Sequence, residues 1–442
     1  MGFQDAVLTG LAPDGGLLVP ETIPDVTAKL TGWEGLSFVA LAREIVPLFV
    51  EDIALKDLEQ LITDAYVNFT HPEIVPLTQV GDVTVMELFH GPTLAFKDVA
   101  LQLLGQIFAY ILGRTNKHLN ILAATSGDTG SAAIAGVRGL PQVDIFVMYP
   151  RGRVSRLQEL QMTTEVDGNV HCLAVEGSFD DCQNLMKTIF GDLAFKEKYS
   201  LGAANSVNWA RVLAQIVYYS YASLKLGGDQ PVSFCVPTGN FGNVFAGFIA
   251  KRMGFPIKQL ILATNENDIL AKFFDSGVYE RGEVRYTVTP AMDIQVASNF
   301  ERFLYYHMNC DPVALSEFMA DFALSGRAEL AAPLRSEDFL ATAVDVDDTL
   351  STIRKVYETS GYVADPHTAV GLAAAERFAL DEPLVCLATA HPAKFPEAVN
   401  KAVGADVAHH PALDDLCDRE SRTTNVPADV EAIKDVIRSL GR

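Results

Sequence analysis

Apolar positions in the first eighty residues recur at helical spacing. Leu41, Ile45, Leu48 and Phe49, then Leu55, Leu58, Leu61 and Ile62, predict helices within 36–65. A turn-rich opening precedes them, Gly10-Leu-Ala-Pro-Asp-Gly-Gly-Leu-Leu-Val-Pro20. This pattern describes a small helical N-terminal unit, 1–80, that packs on something larger. From about residue 81 the period changes. Short apolar runs that suit buried strands occur at 83–89, 119–124, 145–148, 171–175, 232–236 and 259–263. Helical patterns lie between them at 99–112, 131–136, 156–163, 179–190, 209–226 and 244–253. Such alternation predicts an α/β fold of parallel sheets covered by helices on both faces. In such sheets ligands bind where strands end and the next helix begins.

The region 265–350 breaks the alternation and reads as a helix-rich insertion. An α/β portion then resumes, with a helix at 347–360, Asp365-Pro-His-Thr-Ala-Val-Gly, and a strand at 384–388 running into Thr389-Ala-His-Pro-Ala-Lys-Phe-Pro. A charged helix closes the chain at 429–440. The expected division is a helical unit 1–80, a large sheet domain from 81–112 and 204–405, a small α/β domain 113–203, and a tail 406–442. The two sheet domains exchange segments.

Composition narrows the class. At 442 residues, 49% apolar and 20% charged, the chain is expected to form two or three compact domains. No run of roughly 18 apolar residues predicts a membrane span, and the N-terminus carries neither a secretory nor a myristoylation pattern. The 6 cysteines are scattered without C-x-x-C or zinc-ligand spacing, which reads as reduced thiols in a cytoplasmic protein without a metal site. A formal charge of −22 argues against nucleic acid as a partner. It also means that an anionic ligand needs a local cationic cluster.

Candidate chemistry sits in the loops. Glu87-Leu-Phe-His-Gly-Pro-Thr-Leu-Ala-Phe-Lys-Asp98 places Lys97 where a helix opens among apolar residues. Desolvation there favours the free amine over the ammonium, although a lysine taken alone reads first as a snorkelling surface residue. Ala123-Ala-Thr-Ser-Gly-Asp-Thr-Gly-Ser-Ala-Ala133 and Val236-Pro-Thr-Gly-Asn-Phe-Gly-Asn243 each follow a strand and open a helix, presenting backbone N–H groups to an anion. Neither matches a Walker A or G-x-G-x-x-G pattern, and either also fits an ordinary capped turn. Asn205-Ser-Val-Asn-Trp-Ala-Arg211 combines amide, hydroxyl and guanidinium donors suited to a phosphate. Pro150-Arg-Gly-Arg-Val-Ser-Arg156 is a basic stretch that reads as either an anion guide or a solvated loop. One lysine in apolar context with two or three anion loops points to pyridoxal phosphate, which needs an imine-forming lysine, a phosphate cradle and a partner for its ring nitrogen.

These segments together resemble the threonine synthases, in their longer class with an extended N-terminal domain. The matches are Gly10-Leu-Ala-Pro-Asp-Gly-Gly-Leu, the Glu87–Asp98 stretch, Thr125-Ser-Gly-Asp-Thr-Gly130, Gln161-Met-Thr-Thr164, Asn205-Ser-Val-Asn-Trp-Ala-Arg211, Pro237-Thr-Gly-Asn-Phe-Gly242, Pro290-Ala-Met-Asp-Ile294 with Ser298-Asn-Phe-Glu-Arg302, and the Thr389 loop. They run in order over nearly the whole chain. The resemblance implies PLP fold type II and conversion of O-phospho-L-homoserine and water into L-threonine and phosphate by a monomer or homodimer. It implies that Lys97 is the Schiff-base lysine, that Gly239, Asn240, Phe241 and Gly242 cradle the cofactor phosphate, and that Thr389 meets the pyridine nitrogen. Ser126, Gly127 and Thr129 fall on the substrate-carboxylate loop. Asp128 stands where related enzymes often carry asparagine near the cofactor's 3′-oxygen. Asn205, Ser206 and Arg211 fall on the substrate-phosphate site. Left open are a phospho-lyase making 2-oxobutyrate from the same substrate, a serine/threonine dehydratase, and a silent metabolite-binding protein on the same fold.

Overall fold

The computed structural model describes residues 1–12, 14–228, 230–330 and 338–442. Pro13 of the first matching segment and residues 331–337 of the expected insertion lie outside them. Thirteen strands are present among the described residues. They are β1 (Leu77–Val80), β2 (Val83–Glu87), β3 (Leu119–Ala124), β4 (Val143–Pro150), β5 (Val170–Glu176), β6 (Leu201–Gly202) and β7 (Val232–Pro237). The others are β8 (Ile257–Thr264), β9 (Val278–Glu280), β10 (Arg327–Glu329), β11 (Phe339–Ala343), β12 (Leu384–Ala388) and β13 (Thr424–Pro427).

Two principal sheets result. One has the order β1-β2-β12-β7-β8-β11, the other β13-β5-β4-β3-β6. Apart from the hairpin β1/β2, every pairing in these two sheets is parallel. The inner strands are apolar along their whole length because both faces are covered: β4 and β7 are buried at every position. The strand order matters for function. β2, β12 and β7 are neighbours and parallel, so their carboxyl ends open side by side. The segment after β12 also pairs with the turn after β2: Ala95 bridges Ala390, Phe96 N donates to Thr389 O at 2.9 Å, and His391 N donates to Leu94 O at 3.0 Å.

Three parts differ from the sequence reading. β1 lies within the expected N-terminal unit, yet it pairs with β2 in the larger sheet. β11, within the expected insertion, forms that sheet's other edge, and β9 and β10 make a separate two-stranded ribbon. The tail supplies β13, which covers the edge of β5 before the helix Val430–Leu440 packs on the smaller sheet's helical layer. β11 and β13 are short strands whose pairing is decided by a distant partner, and local periodicity carries no signal for that; β1 joins the sheet through its hairpin with β2.

The N-terminal helices Phe38–Ile45 and Leu55–Tyr66 bury Phe38, Leu41, Ile45, Leu58 and Ile62. Phe38 packs edge-on against Tyr66 and Tyr221, and the Tyr66 hydroxyl donates to Val99 O at 3.1 Å. This core is continuous with that of the sheet domains. No helix among the described residues is long and apolar enough to cross a membrane.

Candidate active site

The turn after β2 ends at the helix Lys97–Thr115, the longest helix among the described residues, and Lys97 is its first residue. The Lys97 side chain is 11% exposed, and its Nζ stands 3.4 Å from Asp128 Oδ2. Asp128 begins the helix Asp128–Val137 after β3 of the other sheet, so this contact joins the two sheet domains. Gly127 makes the turn possible. Its φ of 141° and ψ of −88° suit glycine alone, and a Cβ there would lie 2.5 Å from the Gln158 side chain.

Asp128 is the electrostatic centre. Its other oxygen, Oδ1, lies 3.0 Å from Lys394 Nζ and accepts from Gln158 Nε2 at 3.0 Å. Burial pushes this carboxyl up, but the Lys394 and Lys97 cations outweigh it and hold it well below the usual range. For Lys97 burial is the leading cause, and it lowers the amine below its ordinary value. Asp128 opposes that shift, while Lys394 and Arg211 reinforce it.

The loop after β7 opens the helix Gly242–Arg252, whose N-terminus no side chain caps. Gly239 is required by close approach, since a Cβ there would lie 2.6 Å from Ala291 O. Phe241 adopts the left-handed region at φ 61°, held by its ring against Phe274, Phe300 and Phe303. Beside this loop, Ser206 Oγ lies 2.8 Å from Ser298 Oγ, which donates to Asn240 Oδ1 at 3.1 Å. Arg211 is 3% exposed, and its Nη1 donates to Ala204 O at 3.0 Å. Burial lowers its guanidinium to about 10, which leaves it charged at neutral pH.

These residues line one cavity whose empty volume is about 760 Å³, solvent at its mouth included. Lys97, Asp128, Thr129, Ser206, Arg211, Gly239, Asn240, Phe241, Gly242 and Thr389 all face it. Ser126, Gly127 and Asn205 do not line it and reach it only through their neighbours in the chain. Asn208 is a helix cap that also ties Val7 O at 2.9 Å. The basic stretch is elsewhere, with Arg151 paired to Glu176 and Arg156 to Glu159.

The cavity is built for an anion. Arg211 Nε and Asn243 Nδ2 are buried donors without an acceptor, and both residues line the cavity. Asn243 presents Nδ2 because its Oδ1 accepts from the hydroxyls of Tyr218 and Tyr219.

Comparison with known proteins agrees along the whole chain. A family profile described as "Threonine synthase N terminus" matches residues 1–66, "Pyridoxal-phosphate dependent enzyme" matches 72–389, and "Threonine synthase, C-terminal" matches 368–437. The chain belongs to the threonine synthase family of pyridoxal-phosphate-dependent enzymes. A threonine synthase of Pseudomonas aeruginosa is 45% identical over 100% of this chain and 96% of its own length. That of Schizosaccharomyces pombe is 46% identical over 91% and 87%. The crystal structure of PLP-bound threonine synthase from Brucella melitensis superposes with a TM-score of 0.96, at 44% identity, over 100% of this chain and 97% of that one. The type II fold and the cofactor expected from the sequence are thereby established.

The cavity fits that cofactor: an uncapped helix N-terminus and two acceptor-less donors suit a phosphate, and a nearly buried lysine suits an aldehyde. Sequence reasoning missed several residues that shape this threonine synthase site. Lys394 and Asn243 lay inside quoted segments without a role. So did His367, which lines the cavity and whose Nδ1 is 3.0 Å from Asp365 Oδ1. Asn299 braces the site by donating to Ser206 O and Asn240 O, both at 3.2 Å. Lys394 carried a usable signal: a lysine within an uncharged run directly after a buried strand.

Proposed function

We propose that the chain converts O-phospho-L-homoserine and water into L-threonine and phosphate, with pyridoxal phosphate held on Lys97. The observation that carries this reading is the pair of unsatisfied donors, Arg211 Nε and Asn243 Nδ2, in the cavity that holds the Lys97 amine. A single anion would not need both a glycine-rich helix N-terminus and a separate buried guanidinium. The N–H groups from Gly239 to Asn243 serve the cofactor phosphate, and Arg211 with Ser206 serves the substrate phosphate. Asn205 supports that second subsite from the same turn, and Ser126, Gly127 and Thr129 serve the substrate carboxylate.

When bound, pyridoxal phosphate supplies an electron sink for the substrate's α-amino carbon. The chain's own residues do the rest. The Lys97 amine, uncharged at lower pH than an exposed lysine, takes and returns protons at substrate Cα and Cβ. Thr389 offers a neutral hydroxyl to the ring nitrogen and so does not enforce its protonation. Asp128, its charge balanced by Lys394, would hold the cofactor on the side of its 3′-oxygen.

Purified, PLP-loaded protein is expected to release phosphate from O-phospho-L-homoserine and to yield threonine in equal amount. Phosphate accompanied by 2-oxobutyrate and ammonia would assign the phospho-lyase instead. Turnover of unphosphorylated serine or threonine that survives Arg211→Ala would assign the dehydratase. The six free thiols, 172, 182, 235, 310, 386 and 417, support a cytoplasmic location, and cell fractionation tests it. The working unit is a monomer or homodimer, which sedimentation equilibrium checks.

A further inference from the structure

Lys394 is unusual for a lysine: its side chain is completely buried. Its Nζ is held by two oxygens, Asp128 Oδ1 at 3.0 Å and Thr93 O at 2.8 Å. Lys97 holds the same carboxylate through a single contact of 3.4 Å. We propose that Lys394 is a positioning residue for the reactive amine: its buried ammonium takes the stronger share of Asp128, so that Lys97 is not locked as the ammonium partner of a buried carboxylate. The proposal rests on the reading that Lys97 is the reactive amine.

The charges around the pair support this division of labour. Lys394 and Arg211 both bear on the Lys97 amine, and Asp128 is the anion in direct contact. Two ammonium groups in contact with one carboxylate, with the Arg211 guanidinium bearing on Lys97, favour the loss of one proton, and the most weakly held ammonium loses it. Lys394 has two close acceptors and Arg211 is a guanidinium, so the proton leaves Lys97. Other groups face this cluster. Asp98 lies one residue beyond Lys97, is buried, and is bound by Thr93 N at 2.8 Å and Thr93 Oγ1 at 2.6 Å. His367 bears on Asp128 and is paired with Asp365. Gln158 completes the Asp128 shell without adding charge. A lone Asp128–Lys97 pair would instead stabilise the ammonium, which neither attacks a carbonyl nor accepts a proton.

The test measures the Lys97 amine directly in the full-length chain freed of cofactor. Competitive acylation by acetic anhydride across pH, read by mass spectrometry of the Lys97 peptide, gives its titration midpoint. Lys394→Met is expected to move that midpoint up, slowing Lys97 labelling near neutral pH by about tenfold per pH unit of movement. Lys394→Arg, which keeps the cation, should stay near the parent. Should Lys394→Met fail to fold, Asp128→Asn with and without Lys394→Met repeats the comparison in a background with no buried carboxylate to strand. There, with no carboxylate left to share, loss of Lys394 should leave the midpoint nearly where it was. The visible band of the loaded Lys394→Met protein should move up with its midpoint. A midpoint unmoved by Lys394→Met in the parent, or one that rises clearly in the Asp128→Asn background, would overturn the proposal. Full turnover by Lys97→Ala would overturn the underlying reading instead.

Discussion

At the scale of single residues, the site is a set of buried charges whose value depends on what faces them. Arg211 has no carboxylate partner among the described residues, and its Nε is left without an acceptor while Nη1 donates to Ala204 O. Arg211→Lys keeps the charge but loses the planar fork, and kcat/KM for the phosphorylated substrate is expected to fall roughly 10- to 100-fold, about 1.5–3 kcal/mol for a charged hydrogen bond. Steady-state kinetics checks this; unchanged kcat/KM would remove Arg211 from the phosphate subsite. Asp98 carries a pH signature of its own. Burial pushes its carboxyl up to about 6, against opposing hydrogen bonds from Thr93. Its folded form therefore binds more protons than the unfolded chain between about pH 4 and 6, and its contribution to stability declines as pH rises through that window. The decline amounts to about 3 kcal/mol. Asp98→Asn should flatten the difference between urea midpoints at pH 4.5 and pH 7, and a variant as pH-dependent as the parent would refute the assignment.

At the scale of elements, the loop 239–242, proposed to cradle the cofactor phosphate, is strained and braced. Phe241 in the left-handed region is tolerated because its ring is locked among Phe274, Phe300 and Phe303. Phe241→Ala removes that lock at a cost of about 3–5 kcal/mol. Cofactor affinity should fall together with thermal stability, which a PLP titration and a melting curve would show. Gly239→Ala is different in kind. Its Cβ would meet Ala291 O at 2.6 Å, so backbone must shift at the phosphate cradle while the hydrophobic core is left intact. Weaker cofactor binding with little change in the cofactor-free melting temperature is expected. An equal loss of both would show that the close approach serves the fold and not the cradle. Loops 205–211, 237–243 and 298–302 act as one unit because Asn299 and Ser298 tie them together.

At the scale of the molecule, distant segments converge on single residues. Arg302 donates from Nε and Nη2 to Leu18 O at 3.0 and 2.7 Å, and from Nη2 to Val207 O at 2.7 Å. Its Nη1 reaches Asn299 Oδ1 at 2.6 Å. The N-terminal segment, the Arg211 turn and the Asn299 brace thus share one buried guanidinium. Arg302→Ala is expected to lower stability by about 3 kcal/mol and to weaken cofactor binding as well, although the residue does not line the cavity. The tail has a different role: β13 covers the edge of β5. Deleting 406–442 would leave a parallel edge exposed, and faster hydrogen exchange at 170–176 with a tendency to aggregate should follow. Unchanged exchange there would mean that β13 adds nothing to the smaller sheet.

The order of strands and helices was legible from periodicity alone, because buried parallel strands read as short apolar runs and amphipathic helices repeat every 3.6 residues. The helices 156–163 and 209–226 and the strands 119–124 and 384–388 agree with the structure residue for residue. The lining of the cavity was legible where one short segment carries it whole: Lys97 and the loop 239–242 stand out in the sequence, and both line the cavity. What the sequence could not decide was which distant groups share a charge or an edge. Lys394, nearly 300 residues beyond Lys97, reaches Asp128 only because β12 lies beside β2 and the following loop folds back on Leu94–Phe96. β11 and β13 took their places in the same way, by pairing with β8 and β5 far away in the chain. Local pattern sets what each segment can be; the Coulomb and hydrogen-bond energies that select its partner exist only once the chain has brought the groups together.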